Sequence, residues 1–357
     1  MARKAQHARG SLKNGLMFTG PFLAIYAIFI IYPVLQAIFM SGFDWDLLGY
    51  TREWIGLGNY ERMLWGTSMT WSLGHMFLWR VAILAVVGWL LVRPIRERRI
   101  SVSRIVAVAG AVLLAIVLGF HPGEGGIWND PSFWVAFRNT LLFTVVSTPI
   151  IAGLGLLMAL ALQGGRRGAG LYQMAFFLPY VLPVSVATLI WSYFLSPDKG
   201  LLAPFLANFG IAPIAWLSDP SFAMAGIIIT TVWWTVGFNL VLFAAGLQDI
   251  DKTLYEAASL DGAGAWKKFV NITIPGLKHV LILVVITQVI ASFQVFGQVN
   301  IMTSGGPGGA TRVLIQHIYE AGFRDLELGY ASTVSIFLFV VMLVVSVIQF
   351  KTIGRER

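Results

Sequence analysis

Long apolar runs separated by short polar loops constrain this chain more than any other feature. A helix needs roughly 20 apolar residues to cross the hydrocarbon of a bilayer, and eight runs meet that requirement. Lipid offers the backbone no hydrogen-bond partner, so each run is expected to be helical. The sequence predicts an all-α integral membrane protein with eight spans, at about 16–40, 71–92, 102–120, 134–162, 171–195, 222–247, 279–301 and 329–350.

The distribution of Lys and Arg predicts the orientation of these spans, because cytoplasmic loops carry an excess of both residues. With the N-terminus inside, 18 of the 25 Lys and Arg residues lie in inner loops and 5 in outer loops. Both termini are therefore expected in the cytoplasm. The basic stretch before the first span resembles a signal peptide, but the apolar run is too long and lacks a small-residue cleavage site, which favours a retained anchor.

Composition excludes several function classes. Apolar residues make up 57% of the chain and charged residues 12%, and the net charge of +8 lies between apolar runs rather than on one basic face, which argues against nucleic-acid binding. There is no cysteine, so thiol chemistry and Cys-ligated metals are excluded. No Asp or Glu falls within a span, unlike in ion-coupled transporters, and no phosphate loop is present. We expect no catalytic residue, metal or bound cofactor.

One inner loop, 248–278, carries a dense local pattern. Thr253 and Glu256 have the spacing of a capping box, which predicts that a helix begins at Thr253. Gly262 supplies the permissive backbone that ends a helix, Asp261 is a candidate cap for the next helix, and Pro275 is expected to end that one. From capping chemistry alone, this could equally be an ordinary amphipathic helix on the membrane surface.

The spacing of this loop is more specific. Glu256-Ala257-Ala258 is followed after three residues by Gly262, and Pro275 lies thirteen residues further on. The pattern resembles the Glu-Ala-Ala loop of permease subunits in binding-protein-dependent ABC importers. Their carbohydrate-uptake branch, which includes the maltose and glycerol-phosphate permeases, also resembles Trp54-Ile55-Gly56-Leu57-Gly58-Asn59-Tyr60, Phe133-Trp134-Val135-Ala136-Phe137-Arg138-Asn139-Thr140, Phe177-Leu178-Pro179-Tyr180 and Met302-Thr303-Ser304-Gly305-Gly306-Pro307.

This resemblance implies a partner-dependent machine in a bacterial or archaeal cytoplasmic membrane. The expected partners are a second permease subunit, two ATP-binding cassette subunits that bind ATP and Mg, and an outer solute-binding protein. It implies that the loop transmits ATPase closure to the spans through Glu256, Ala257, Ala258, Asp261 and Gly262.

The resemblance also predicts a domain organisation. A tail, the first span and an outer segment occupy 1–64, the permease core 129–350 and a cytoplasmic tail 351–357. Residues 65–128 depart from the family and insert two additional spans, to which no role transfers.

Polar side chains inside apolar spans mark a candidate solute pathway, because they are costly in lipid. Thr231, Thr235 and Asn239 recur at four-residue steps on one helix face, and the fifth span carries prolines around Tyr180 that interrupt its backbone hydrogen bonds. The candidates from these spans and the seventh are Tyr180, Thr235, Asn239, Gln288, Ser292 and Gln294, of which the resemblance favours Tyr180, Asn239, Gln288 and Ser292.

The chemistry of these side chains suits a sugar, since amides, hydroxyls and aromatic faces match its hydroxyls and C–H surfaces. The fifth, sixth and seventh spans hold no Lys or Arg, which a phosphorylated solute such as glycerol phosphate would favour. Three alternatives stay open: a non-sugar solute for the same type of importer, an ion-coupled secondary transporter, and a role in helix packing alone, which polar residues commonly play in membranes.

Overall fold

The computed structural model describes residues 18–64, 69–71, 74, 77–78, 80–85, 120–122, 131–163 and 168–353. Two compact units divide the chain. The first comprises Met1–Pro131 with Glu327–Thr333, and the second Ser132–Leu326 with Val334–Arg357. All the sites considered below lie within the second unit.

Most of the described chain is helical, as the sequence predicts. The helices are α1 (Phe18–Met40), α2 (Gly58–Leu64), α3 (Pro131–Leu162), α4 (Ala169–Val181), α5 (Val184–Phe194), α6 (Leu202–Ala207), α7 (Pro220–Gln248), α8 (Lys252–Leu260), α9 (Ala265–Gly276), α10 (Lys278–Phe293), α11 (Gly297–Met302), α12 (Leu314–Tyr319) and α13 (Leu328–Ile353). Two antiparallel pairs of short strands accompany them, β1 (Phe43–Trp45) with β2 (Arg52–Trp54), and β3 (Met69–Trp71) with β4 (Phe120–Pro122).

Four helices of the described chain are each long and apolar enough to cross a membrane alone: α1, α3, α7 and α13. They confirm that four predicted spans are continuous helices, those at 16–40, 134–162, 222–247 and 329–350. With two bent helix pairs counted as one span each, the described residues hold up to six candidate spans.

The predicted span at 171–195 is not one straight helix. It consists of α4 and α5, which meet at an angle of 99°. Leu182 has extended backbone (φ −68°, ψ 139°), because the ring of Pro183 disfavours helical geometry in the residue before it.

The predicted span at 279–301 also departs from one straight helix. α10 ends at Phe293, inside the predicted span, and α11 begins at Gly297. α9, which precedes the predicted span, meets α10 at 67°. The predicted stop at Pro275 is one residue early, since helical backbone continues to Gly276.

Most of the predicted inserted spans, 71–92 and 102–120, lies outside the described residues; 80–85 is helical. β3 and β4 pair in the register Met69–Pro122, Thr70–His121 and Trp71–Phe120. The two ends of the insert therefore lie side by side, so the intervening chain returns to the point from which it left.

α7 is the central helix of the second unit. Of its most apolar window, 56% is buried, against 28% for α3 and 33% for α13. Asp219 caps its first turn by accepting a hydrogen bond from Ser221 N at 2.8 Å, and Pro220 fits at the first helical position. One face of α7 contributes Ile227 to a buried cluster with Phe143, and a later turn contributes Leu240 to a second cluster.

The start of α2, which belongs to the stretch 54–60 that resembles the family, connects several elements of the first unit. Asn59, at the start of α2, donates from Nδ2 to Ser41 O at 3.0 Å and to Phe43 O at 2.8 Å. Arg62 pairs with Glu327 at 2.9 Å. These bonds tie α2 to the β1–β2 hairpin and to the chain just before α13.

Two further stretches of the resemblance meet in the second unit. Asn139 of α3 donates from Nδ2 to Gly309 O and Arg312 O, both at 3.0 Å. Arg312 Nε lies 2.8 Å from Glu320 Oε2, and Thr311 Oγ1 donates to Gly306 O at 2.6 Å. The loop after α11 is thus attached to the start of α3.

The close crossing of α4 and α7 depends on Gly237, and this generates a prediction. A Cβ at Gly237 would collide with the backbone carbonyl of Phe176, whereas a Cβ at Gly153 of α3 would meet nothing within 4 Å. Both lie inside helices, where alanine gains about 1 kcal/mol over glycine in propensity. Gly237→Ala should lower the thermal unfolding temperature of the purified protein, while Gly153→Ala should leave it unchanged or raise it. Equal behaviour of the two variants would contradict this packing.

Candidate functional site: an exposed helix and a polar helix interface

Three residues separate the end of α7 from the start of α8, and the last of them, Asp251, caps α8. The Asp251 backbone is extended, and its Oδ1 accepts a hydrogen bond from Thr253 N at 2.9 Å. The predicted capping box with Thr253 as first residue is therefore wrong. Asp251 lies two residues earlier and satisfies the free N–H, which places Thr253 inside the first turn.

The same bond lowers the pKa of Asp251 below its ordinary value, because an N–H donor favours the carboxylate over the acid. The cap therefore stabilises α8 at pH values above the ordinary carboxyl pKa. This contribution is lost as the pH falls through the lowered value.

α8 ends in a glycine-dependent turn, which confirms the predicted role of Gly262. Its φ is +72°, Ala263 N donates to Ala258 O at 2.8 Å, and Gly262 N donates to Ser259 O at 3.2 Å. This pair of bonds is the Schellman arrangement. The prediction that Asp261 caps the next helix is wrong. Asp261 lies at the end of α8, and the residue before α9 is Gly264, which has no side chain to form a cap.

The inner side of α8 is attached to the membrane helices. Tyr255 packs against the buried cluster around Leu240, and its hydroxyl lies 2.9 Å from Thr273 Oγ1. Lys268 Nζ donates to Ser259 Oγ at 2.6 Å. These contacts connect α8 to α9, which leads into α10 at the bend.

The side of α8 that faces away from the membrane helices is uncovered. α8 and the turn that follows it carry the five residues predicted to couple to an ATPase. Glu256, Ala257, Asp261 and Gly262 are exposed, and Ala258 is half-buried. The Glu256 carboxylate has no hydrogen bond or ion pair within the described part of the chain. Four of these five residues are therefore accessible on the surface of the described chain.

Two large apolar side chains flank this surface without cover. Leu260 is 90% exposed and Trp266 is 74% exposed. They lie on the polar loop between α7 and α10, where water contact with so much apolar surface is unfavourable. A group of exposed apolar residues with a polar rim is typical of a surface that another protein covers.

The predicted pathway residues on α7 and α10 meet in a buried interface. Asn239 Nδ2 donates to Gln288 Oε1 at 3.3 Å and to Thr235 O at 3.2 Å. Asn239 is 2% exposed and Gln288 8%. Thr235 Oγ1 bonds Thr231 O on its own helix at 2.7 Å, so its hydroxyl is satisfied locally.

Ser292 joins a second polar contact on the same face of α10. Its Oγ lies 3.3 Å from Ser147 Oγ and 3.4 Å from Thr148 Oγ1, both on α3. Sequence reasoning did not single out Ser147 and Thr148. Their position as adjacent polar residues inside the long apolar run of α3 was the signal that could have found them.

Tyr180 lies apart from these contacts, near the bend between α4 and α5. Its ring stacks on Phe238 at 4.8 Å between centroids, with 19° between the ring planes. At the bend, Trp234 Nε1 donates to the Leu182 carbonyl at 3.2 Å. The helix break frees this carbonyl, as the prolines predicted, and the indole on α7 satisfies it.

Gln294 belongs to a different surface. It lines an open groove of about 1080 Å³ with side chains of α10, α12 and α13, including Ile290, Ser335 and Leu338. The six predicted pathway residues therefore separate into three places: a buried interface, an aromatic bend and an apolar groove. No group of His, Asp or Glu among the described residues could hold a metal ion.

The bond between Trp234 and Leu182 generates a second prediction. Trp234→Phe removes the indole donor and leaves a carbonyl unsatisfied, which should cost about 1–3 kcal/mol. The matched control is Trp233→Phe, because Trp233 packs on Trp191 at 5.8 Å between centroids and has no hydrogen bond within the described chain. Only Trp234→Phe should markedly lower the midpoint of thermal unfolding; a larger loss in Trp233→Phe would contradict the role of the bond.

Several known proteins resemble the chain in sequence. A lactose transport system permease protein from Rhizobium radiobacter is 36% identical over 284 residues, covering 76% of this chain and 94% of that protein. A trehalose/maltose transport system permease protein from Thermococcus litoralis is 36% identical, covering 63% and 76%. An sn-glycerol-3-phosphate transport system permease protein from Agrobacterium fabrum is 34% identical, covering 64% and 78%.

The fold also matches a solved structure. A chain in the crystal structure of a bacterial ABC transporter that imports the acidic polysaccharide alginate superposes with a TM-score of 0.58, at 20% identity, over 80% of this chain and 97% of that one. Residues 151–352 match the family described as the inner membrane component of binding-protein-dependent transport systems. This match includes α8 and the Asn239–Gln288 contact, and the chain belongs to that family.

Proposed function

We propose that α8 and Gly262 seat in an ATP-binding subunit and that this contact drives a sugar pathway through the spans. As a permease subunit of a binding-protein-dependent ABC importer, the chain is a transport component and not an enzyme. In the proposal, partner ATPases bind ATP and Mg. The observation that carries it is the uncovered surface of α8, whose opposite side is attached to the membrane helices.

Small residues suit this surface because a second protein must approach the helix closely. Ala257 and Ala258 project only a methyl group, and Gly262 turns the chain away without adding a side chain. Glu256 supplies a carboxylate that no described residue pairs with, and Leu260 supplies apolar area that docking would remove from water. A rigid helix attached on its other side then acts as a lever between two states.

The proposed arrangement has eight spans in an inner membrane, with both termini and α8 in the cytoplasm. The charge distribution supports this orientation. The paired ends of the insert are compatible with two added spans, since the chain returns to the same place. The proposed assembly also contains a second permease subunit, a second ATPase and an outer solute-binding protein.

The proposed solute is a sugar. Its support is the uncharged chemistry of the buried interface, where the Asn239 and Gln288 amides face each other, and the names of the lactose and trehalose/maltose relatives. In this conformation the two amides bind each other. A sugar hydroxyl would have to replace that bond, which an open state of the spans would allow.

Gly262 provides a test of the coupling contact. Gly262→Val forces a β-branched residue into left-handed backbone at a cost of about 1–2 kcal/mol and places bulk on the docking surface. ATP-driven sugar uptake by the reconstituted importer should fall strongly, while the amount of inserted protein stays normal.

The matched control is Gly262→Asn, because asparagine tolerates positive φ. It should retain more uptake than Gly262→Val. Normal uptake in the valine variant would show that this turn does not transmit the ATPase motion.

A substitution at Asn239 distinguishes a role in solute contact from a role in helix packing. If Asn239 contacts solute, Asn239→Ala should raise the KM of uptake roughly fivefold, the equivalent of about 1 kcal/mol. Thr231→Val is the control, since Thr231 bonds only its own helix. A lower unfolding temperature with an unchanged KM would assign Asn239 to packing alone.

Orientation can be measured directly because the chain has no native cysteine. Ala263→Cys, next to α8, should react with a membrane-impermeant maleimide only from the cytoplasmic side. Ser218→Cys, before α7, should react only from the outside. The reverse pattern would overturn the proposed topology and the ATPase contact with it.

A further inference from the structure

A cavity of about 610 Å³ with both polar and apolar lining residues lies at the α8 end of the second unit. Its walls come from four helices: the end of α3, the start of α4, the end of α7 and the first turn of α8. The volume falls within the range of small-molecule pockets, roughly 300–1,000 Å³. The pathway candidates on α7 and α10 do not line it.

Three carboxamides line this cavity, those of Gln163, Gln173 and Gln248. None of their side chains forms a hydrogen bond with another described residue. Each amide offers two donors and an acceptor. Gln163 directly follows α3, Gln173 lies in α4 and Gln248 ends α7, so three such groups line one space with hydrogen-bonding capacity that no described residue uses.

The chemistry of the lining favours a neutral, polyhydroxylated ligand. Amides donate to and accept from hydroxyl groups, while Leu247 and Ile250 provide an apolar wall for C–H faces. Among the described residues of the lining, Lys252 is the single charged side chain, and it is exposed. A phosphate group would favour several cationic donors around it.

α8 forms part of the cavity wall, because Lys252 and Tyr255 both belong to it. A molecule held between these residues and the amides of α3, α4 and α7 would bridge α8 and the spans. Such a ligand would favour the position of α8 to which it binds more tightly, and the shift would be as large as the difference between its affinities for the two positions.

We propose that this cavity is a second solute site, which binds a neutral sugar beside the coupling helix. Its placement on the cytoplasmic side rests on the orientation proposed above. In that orientation the site is open to sugar that has already been imported, and its occupancy is communicated to α8.

The test uses the purified full-length chain in lipid nanodiscs, with Ala169→Cys as a reporter in the lining. Lactose at ten times its Kd should slow maleimide labelling of this cysteine roughly tenfold, since about a tenth of the sites stay open. Ala257→Cys, on the exposed side of α8, should label at the same rate with and without lactose. Protection of both positions or of neither would overturn the proposal.

A cavity-filling variant locates the site. A Cβ at Gly170 meets nothing within 4 Å, so Gly170→Leu can extend into this space without a backbone clash. In the Ala169→Cys background it should abolish protection by lactose. Gly153→Leu, also with an open Cβ position, should preserve it, and Gln173→Leu should weaken it. Equal loss in Gly153→Leu would contradict the assignment.

Two further arms identify the ligand class and separate this site from the transport pathway. Glycerol 3-phosphate should give no protection at Ala169→Cys; protection by it and not by lactose would overturn the neutral-sugar assignment. ATP-driven lactose uptake by the complete importer is measured separately. Protection without uptake of any neutral sugar by the complete importer would contradict the proposed function and leave this site standing, whereas lactose uptake without protection would contradict this site alone.

Discussion

The need to pair every backbone polar group determines where this fold can depart from regular helix. Hydrocarbon supplies no hydrogen bonds, so a break inside a span is tolerated only where protein groups replace the lost partners. The bend at Leu182 meets this requirement through the indole of Trp234. Tyr180 stacks on Phe238 beside that bend. Irregular backbone and one candidate pathway residue, Tyr180, thus lie close together.

The same constraint explains the polar contacts between helices. Asn239 and Gln288 satisfy each other, and Ser292 lies near the hydroxyls of Ser147 and Thr148. These bonds stabilise one arrangement of α3, α7 and α10. They also provide groups that can exchange partners, since a sugar hydroxyl offers the same donors and acceptors. Helix packing and solute contact are therefore compatible roles for one set of side chains in different states.

Sequence patterns predicted the continuous apolar helices well, because length and hydropathy alone define them. They predicted that prolines would interrupt the span at 171–195, but not the 99° angle between its halves, which depends on packing against α7. The capping box at Thr253 was a false match. Asp251 offers a better-placed acceptor two residues earlier, and only three-dimensional backbone geometry distinguishes the two caps. Gly262 was predicted correctly because its backbone requirement is local.

The central claim is that α8 is the surface on which an ATPase acts. Hydrogen–deuterium exchange across 252–262, measured on the permease subunits alone and in the complete complex, tests it most directly. Docking should slow exchange in α8 and in the turn at Gly262, while the loop around α6 keeps its rate. Identical exchange of α8 in both samples, in a complex shown to be intact, would contradict the account.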